Sequence, residues 1–227
     1  VPEFQTPATV IHLHIRSPEF TTGPKGACLA SLYLDHLTDL LHPLLASAER
    51  AGLSVRFSFD NAKLSLELSG FSEKAPLLLA EVLKEMSLKT PPTPEQFAIY
   101  MARHKKDYLN SQKELALRQG KELLDSLIVF GKSTKMQKLQ ELGSITYEEF
   151  LTFQKKLFDK TYIEALFGGN LTLKDAESSW LDVQHLLSRS PYPKAEHALK
   201  KVLVLPEQGS PLLVSQSIEA QGNAALL

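Results

Sequence analysis

Two short runs around residue 60 constrain the fold of this chain more than any other feature. Leu53, Val55, Phe57 and Phe59 alternate with Ser54, Arg56, Ser58 and Asp60. Beyond a turn at Asp60-Asn61-Ala62-Lys63, Leu64, Leu66 and Leu68 alternate with Lys63, Ser65, Glu67 and Ser69. Strict period-two alternation gives each strand one apolar and one polar face, and so short a connection makes the pair an antiparallel hairpin. An apolar-periodic helix precedes it, with Leu29, Leu32, Tyr33, His36, Leu37, Leu40, Leu41, Leu44 and Ala48 at three- and four-residue spacing. A second helix is predicted over 73–87, with Ser72 as its N-cap. The two apolar stripes cover the apolar face of the hairpin and leave its polar face bare. Pro43 has no N–H to offer the carbonyl of Asp39, so a bend or break is expected near His42, at a cost of about 3 kcal/mol in an ideal helix interior.

The remaining elements follow the same logic. Val10-Ile11-His12-Leu13-His14-Ile15-Arg16 is a strand whose isoleucines and leucine share one face and whose histidines and Arg16 share the other. Lys89-Thr90-Pro91-Pro92 reads as a linker, and Thr93-Pro94-Glu95-Gln96 as a capping box that opens a helix. Phe97, Tyr100, Met101, His104 and Tyr108 form one apolar stripe; Leu115, Leu123, Leu124, Leu127 and Ile128 form a second, with Gly120 a weak point. A short helix through Met136 and Leu139 ends at Gly143, and Thr146-Tyr147-Glu148-Glu149 is a further capping box. Tyr162-Ile163-Glu164-Ala165-Leu166-Phe167 reads as a strand closed by Gly168-Gly169-Asn170, and Thr172 with Asp175 caps a last helix through Trp180, Val183 and Leu187. Ser190-Pro191-Tyr192-Pro193 is read as a linker, with strands expected at Val202-Leu203-Val204-Leu205 and Leu212-Leu213-Val214-Ser215. The class that results is α+β, an antiparallel sheet with helices packed on one face, because neighbouring strands are joined by a turn rather than a helix.

With 227 residues, 43% of them hydrophobic, the chain has ample material for a buried core. A formal net charge of −1 gives no electrostatic reason to expect nucleic acid or an anionic membrane as partner. No apolar run approaches the roughly 18 residues of a membrane span. The chain reads as soluble, and its residues do not choose between cytoplasm and periplasm. Cys28 is the only cysteine, so no internal disulfide or thiolate metal cluster exists, and its position at the start of an apolar helix suits a small buried hydrophobe. His12 and His14, two apart on one strand, have a spacing that binds zinc if a third ligand such as Glu67 or Glu164 joins them; the plainer reading is two solvated histidines. There is no H-E-x-x-H, G-x-S-x-G or Walker loop, and the nearest approach to an inverted H-x-x-E-H is Pro193-Lys194-Ala195-Glu196-His197, with proline in place of the first ligand. No catalytic residue and no metal ligand is assigned within the chain. It starts at Val1 without methionine and stops in an apolar run, which suggests a segment of a longer polypeptide.

Several dispersed motifs resemble the non-catalytic middle, or third, domain of the insulysin and pitrilysin type of M16 zinc metallopeptidase. They are Phe4 and Pro7, Ser17-Pro18, Asp39-Leu40-Leu41, the helix end Ala48-Glu49-Arg50-Ala51-Gly52-Leu53, the turn Ser69-Gly70-Phe71-Ser72-Glu73-Lys74, Gln96-Phe97, and the strand end Gly169-Asn170-Leu171. Ala51, Gly52, Leu53, Gly70, Phe71, Gly169 and Asn170 are the core of that pattern. Ala46 departs from it, standing where the family commonly has tyrosine. The resemblance covers residues 4–187. It implies a LuxS/M16 metallopeptidase-like fold, with 1–190 as the middle domain and 191–227 as a linker and the first strands of a following domain. It also implies a parent enzyme in which zinc, held by another domain, activates water for attack on peptides or small unfolded proteins inside a chamber, while this segment is inactive, binds no cofactor, and contacts other domains of the same polypeptide and the peptide substrate. The alternative is a scaffold or binding subunit of the same fold without peptidase activity. From the strand alternation, His12, His14, Arg56, Ser58, Ser65, Glu67 and Glu164 are expected on the bare sheet face, where they would line the chamber.

Overall fold

A computed structural model describes residues 6–60, 62–198, 201–204 and 213–226. Strand β1 (Ala8–Arg16) leads into helix α1 (Pro24–Arg50), and the hairpin β2 (Leu53–Asp60) and β3 (Lys63–Phe71) follows. Helices α2 (Ala75–Leu88), α3 (Pro94–Asn110), α4 (Ala116–Ile128), α5 (Lys135–Leu142) and α6 (Tyr147–Lys156) come next. Strand β4 (Lys160–Gly169), helix α7 (Leu173–Leu187) and a two-residue β5 (Ser190–Pro191) complete the order. The sheet runs β2-β3-β1-β4-β5, antiparallel throughout except for the short β4–β5 pair. The expected α+β class, with helices on one side of an antiparallel sheet, is what the chain adopts.

The register explains the two faces. Ile11 pairs across with Leu68 and Phe167, Leu13 with Leu66 and Ala165, and Ile15 with Leu64 and Ile163, while Val55, Phe57 and Phe59 extend the same rows onto β2. Ile11, Leu13, Ile15, Leu64, Leu66 and Leu68 are buried against α1, α2, α6 and α7, whose Leu32, Leu37, Leu79, Val82, Phe150 and Val183 belong to the same core. Each such aliphatic side chain contributes about 1.5–3 kcal/mol by leaving water, which makes this layer the main stabilising element. Cys28 is fully buried, with Sγ 3.5 Å from the Lys138 carbonyl.

The glycine motifs converge on one end of the sheet. Leu53, Gly70, Thr9 and Gly169 form a single row across four strands. A Cβ on Gly70 would stand 2.1 Å from the Gly52 carbonyl oxygen, and one on Gly169 would stand 2.3 Å from that of Ala8. Both have positive φ, 137° and 100°, so no other residue suits either position. Pro7, Ser72 and Asn170 lock the same corner: Ser72 N–H donates to the Pro7 carbonyl at 2.8 Å, and the Asn170 amide group donates to Ser72 Oγ at 3.1 Å.

Several local expectations are corrected. Helix α1 continues through Pro43 without a break; Asp39 and Pro43 are both exposed, so water can satisfy the carbonyl that proline leaves unpaired. Ser72 does not cap α2, which begins at Ala75 after Lys74; its hydroxyl is engaged by Asn170 instead. Thr93 and Thr172 form full capping boxes, whereas Thr146 accepts from Glu149 N–H without the reciprocal bond. The segment around Thr90 is a tied joint: the Thr90 carbonyl accepts from His36 Nε2 at 2.7 Å and Gln154 Nε2 at 2.9 Å, and Tyr147 donates its hydroxyl to Pro92. Ser190-Pro191 is not free linker but pairs with Lys160 and Thr161 at the start of β4. Of the two late strands, Val202 makes only an isolated bridge with Val129 and residues 213–215 have no strand structure; Leu205 and Leu212 lie outside the described residues.

Two outcomes follow from this packing. Gly70→Ala is expected to destabilise the fold by about 3 kcal/mol, since the backbone of Gly52 and Leu53 must move and φ is positive, while Gly143→Ala, whose added methyl meets nothing within 4 Å, stays within about 0.5 kcal/mol; urea unfolding of the two variants measures the difference. His36 is buried, and its Nδ1 has no hydrogen-bond partner among the described residues. Burial lowers its pKa below 6.5, with the Thr90 carbonyl and Asp39 only partly opposing. The stability held by neutral His36 is complete above pH 6.5 and is lost as pH falls below that value through the folded-state pKa. The urea midpoint should therefore drop between pH 7.5 and 5.5, and His36→Gln, which keeps a donor for Thr90, should flatten that drop.

Candidate functional site

The uncovered side of the sheet is built from the polar half of each alternation. One cross-strand row reads Arg56, Glu67, His12, Leu166, and the next reads Ser58, Ser65, His14, Glu164. All seven residues expected on the open face stand on it together. Arg56, Ser58 and Glu164 are exposed, and His12, His14, Ser65 and Glu67 are part-exposed, so no helix lies over them.

Direct contacts within the face are few. His12 Nδ1 lies 3.9 Å from Glu67 Oε2, a distance for a loose, solvent-screened pair. Lys63 Nζ is 3.4 Å from His14 Nδ1, with the ammonium as donor and the neutral ring as acceptor. The His14 pKa is lowered, chiefly by partial burial and next by the Lys63 charge, with Glu164 opposing. On the row beyond, Ser54 and Ser69 share a hydrogen bond of 3.0 Å. The face thus offers donors and acceptors of both signs rather than one dominant charge.

Three features escaped the sequence reading. Lys63 is a neighbour of His14, a pairing that follows from the turn at 60–63 once the register across β3 and β1 is known. Leu166, 63% exposed, sits beside His12 and breaks the polar surface; period-two alternation from Glu164 already implied its side. The third is an aromatic clasp beyond β5. Its Tyr192 and His197 rings lie 4.7 Å apart, His197 is 4.6 Å from the ring of Tyr162, and Tyr192 donates its hydroxyl to the Glu196 carbonyl at 2.7 Å. Tyr162 is on the open side opposite Arg16, so the clasp closes one end of the face. No spacing rule marks such a contact in advance.

Among the described residues, no group of three or more His, Cys, Asp or Glu side chains is placed to hold a metal ion. Among these residues no third ligand joins His12 and His14, so the zinc reading of that pair does not fit. No helix among the described residues is long and apolar enough to cross a membrane.

An antiparallel sheet, sealed by helices on one side and polar on the other, defines an α+β module, and known proteins identify its kind. The profile of the middle or third domain of peptidase M16 matches residues 2–141. The chain belongs to the M16 peptidase family, as that domain. It is 27% identical to the human insulin-degrading enzyme over 206 residues, covering 91% of this chain and 19% of the relative. To the A-factor-processing enzyme of Saccharomyces cerevisiae it is 25% identical, covering 87% of this chain and 19% of the relative. The chain therefore spans about a fifth of the length of these curated relatives. The crystal structure of pitrilysin superposes with a TM-score of 0.74 at 21% identity, over 81% of this chain and 20% of that one. An inactive M16 domain from Pseudomonas fluorescens superposes with a TM-score of 0.61 at 15% identity, over 82% and 47%. These two likenesses establish the fold.

Because Lys63 presses on His14 with like charge, Lys63→Met is expected to raise the His14 pKa toward 6.5. NMR titration of the His14 ring protons reads this directly; an unchanged midpoint would remove Lys63 from the electrostatics of the face.

Proposed function

We propose that this chain is a non-catalytic wall domain of a zinc-dependent endopeptidase that degrades peptides or small unfolded proteins. Residues 1–190 form the middle domain, and 191–227 lead into a further domain of the same polypeptide. The observation that carries this reading is the helix-free sheet face with His12, His14, Arg56, Ser58, Ser65, Glu67 and Glu164, in a chain of the M16 peptidase family. A surface with mixed charge, hydroxyls and one exposed leucine contacts extended peptide of many sequences weakly, through individually small interactions. Zinc, in this reading, belongs to another domain of the parent and supplies the activated water there. This chain contributes enclosure and transient contacts.

Relatives named for insulin and A-factor support a peptide substrate class for the parent. The reading is tested on the full-length parent. Its gene should encode H-x-x-E-H upstream of Val1, and the purified protein should cleave fluorogenic peptides in a chelator-sensitive way. Arg56→Glu combined with Glu164→Lys should raise KM by about three- to tenfold with kcat nearly unchanged, the effect of losing one or two exposed contacts of about 1 kcal/mol or less each. An unaltered KM would remove the open face from the chamber. A parent without the motif and without cleavage would make the chain a scaffold.

A further inference from the structure

Two groups of apolar side chains stay outside the core. On α4, which is bonded to the body through Glu122 and Asp125, no residue is buried and Leu117 and Leu127 are exposed. The second group is smaller and surrounds a glycine on the open side of the sheet. Strand β4 ends in two glycines, and only one of them has a reason inside the domain. Gly169 has φ 100°, and a Cβ there would stand 2.3 Å from the Ala8 carbonyl oxygen. Gly168 is free of both constraints: its φ is not positive, and among the described residues a Cβ would meet nothing closer than the Val10 carbonyl oxygen, at 3.9 Å. The pairing from Phe167 to Gly169 is unbroken, so no bulge is involved. A glycine in a regular strand costs chain entropy and packs nothing, and outside bulges and bends it marks a place where a ligand or another backbone comes close.

The gap above Gly168 has apolar walls. Val10 stands opposite it on β1, Ala8 precedes Val10 by two residues, and Leu166 precedes Gly168 by two residues, so all three share its side of the sheet. All are exposed, Val10 at 37% and Leu166 at 63%. The polar groups around the gap already have partners. Thr9 donates its hydroxyl to the Gly168 carbonyl at 2.8 Å from the buried side, and the Ala8 carbonyl accepts from Asn170 N–H at 2.9 Å. Ser54 and Ser69, in the same row, hydrogen-bond to each other. In the next row Arg56 and Glu67 carry opposite charges and His12 Nδ1 is turned to Glu67, so the local field favours neither an anion nor a cation.

We infer that the gap above Gly168 is a subsite for one bulky apolar side chain, such as leucine or phenylalanine, of an extended peptide lying on the open face. The inference rests on the reading of that face as a peptide-contacting wall and gives it a preference that its polar rows do not supply. Spacing sets a single occupant. Strands stand about 4.8 Å apart and side chains on one face recur about every 6.7 Å along a strand, so one missing side chain leaves room for one inserted side chain. An aliphatic or aromatic group placed there covers Val10 and Leu166 and releases water from both. A charged or amide group would give up its own hydration beside carbonyls and hydroxyls that are already bonded.

The test uses the full-length parent with a chelator present to stop turnover, and labelled peptides in which a single leucine or serine is moved along an otherwise constant sequence. Fluorescence anisotropy gives the dissociation constants. At one position leucine should bind about fivefold tighter than serine through this subsite. Gly168→Val, which fills the gap where a Cβ fits without a clash, should bring the leucine-to-serine ratio at that position to about one. Leu166→Ser, which removes one wall at an exposed site, should reduce the same ratio. A leucine preference that survives both variants at every position would overturn the inference, and so would a loss of affinity equal for leucine and serine peptides. These results are distinct from failure of the wall reading, in which Arg56→Glu/Glu164→Lys also leaves peptide affinity unchanged.

Discussion

Everything in this fold hangs on β1 being held between β3 and β4. That one strand pairs residues 8–16 with partners about 55 and about 150 positions later, so closing the sheet carries the loop-closure cost of the long segments between them. Its alternation then decides the rest. Ile11, Leu13 and Ile15 must find helices, and they are buried under them; His12, His14 and Arg16 then face the other way. A slip of one residue would invert every side chain. The row of Leu53, Gly70, Thr9 and Gly169 guards against that slip, since Gly70 lets β3 close on the backbone of Gly52 and Leu53, and Gly169 lets β4 close on that of Ala8 and Thr9.

The parts of this architecture that depend on local periodicity were legible in the sequence. Both strands of the hairpin, β1, β4 and the α3 stripe of Phe97, Tyr100 and Tyr108 follow from spacing, and so does the placement of seven residues on one sheet face. What could not be read depended on which long-range partner a polar group finds. Ser72 has the chemistry of an N-cap, but Asn170, 98 residues away, takes its hydroxyl. Pro43 should interrupt a helix, yet Asp39 and Pro43 lie on the exposed side of α1, where the carbonyl left without a donor is open to solvent. The amphipathic pattern of α4 was plain, while its orientation was not: a stripe specifies that an apolar face exists, and says nothing of whether this domain or another one covers it.

The candidate site was legible to a similar degree. Residue identities on the face followed from alternation, but the Lys63–His14 contact required the register across two strand pairs, and the Tyr192–His197 clasp required tertiary structure. Ser190-Pro191-Tyr192-Pro193 has linker composition, and proline is tolerated at a sheet edge because a lost donor there faces no ladder partner. Composition therefore marked a break in secondary structure where the chain keeps tertiary contact.

The two exposed surfaces carry opposite chemistry, and that difference argues for opposite lifetimes of contact. The sheet face presents groups that water satisfies well when nothing is bound, so a peptide that leaves it costs little. The α4 face presents leucines that water does not satisfy, and leaving them uncovered forgoes about 25 cal/mol for each Å² of apolar area. The sealed core between them keeps the two surfaces mechanically separate: the sheet face can be altered at Arg56 or Glu164 without disturbing the packing of α4, which is held from its polar side by Lys132, Lys135 and the carbonyls of Gln112 and Glu114.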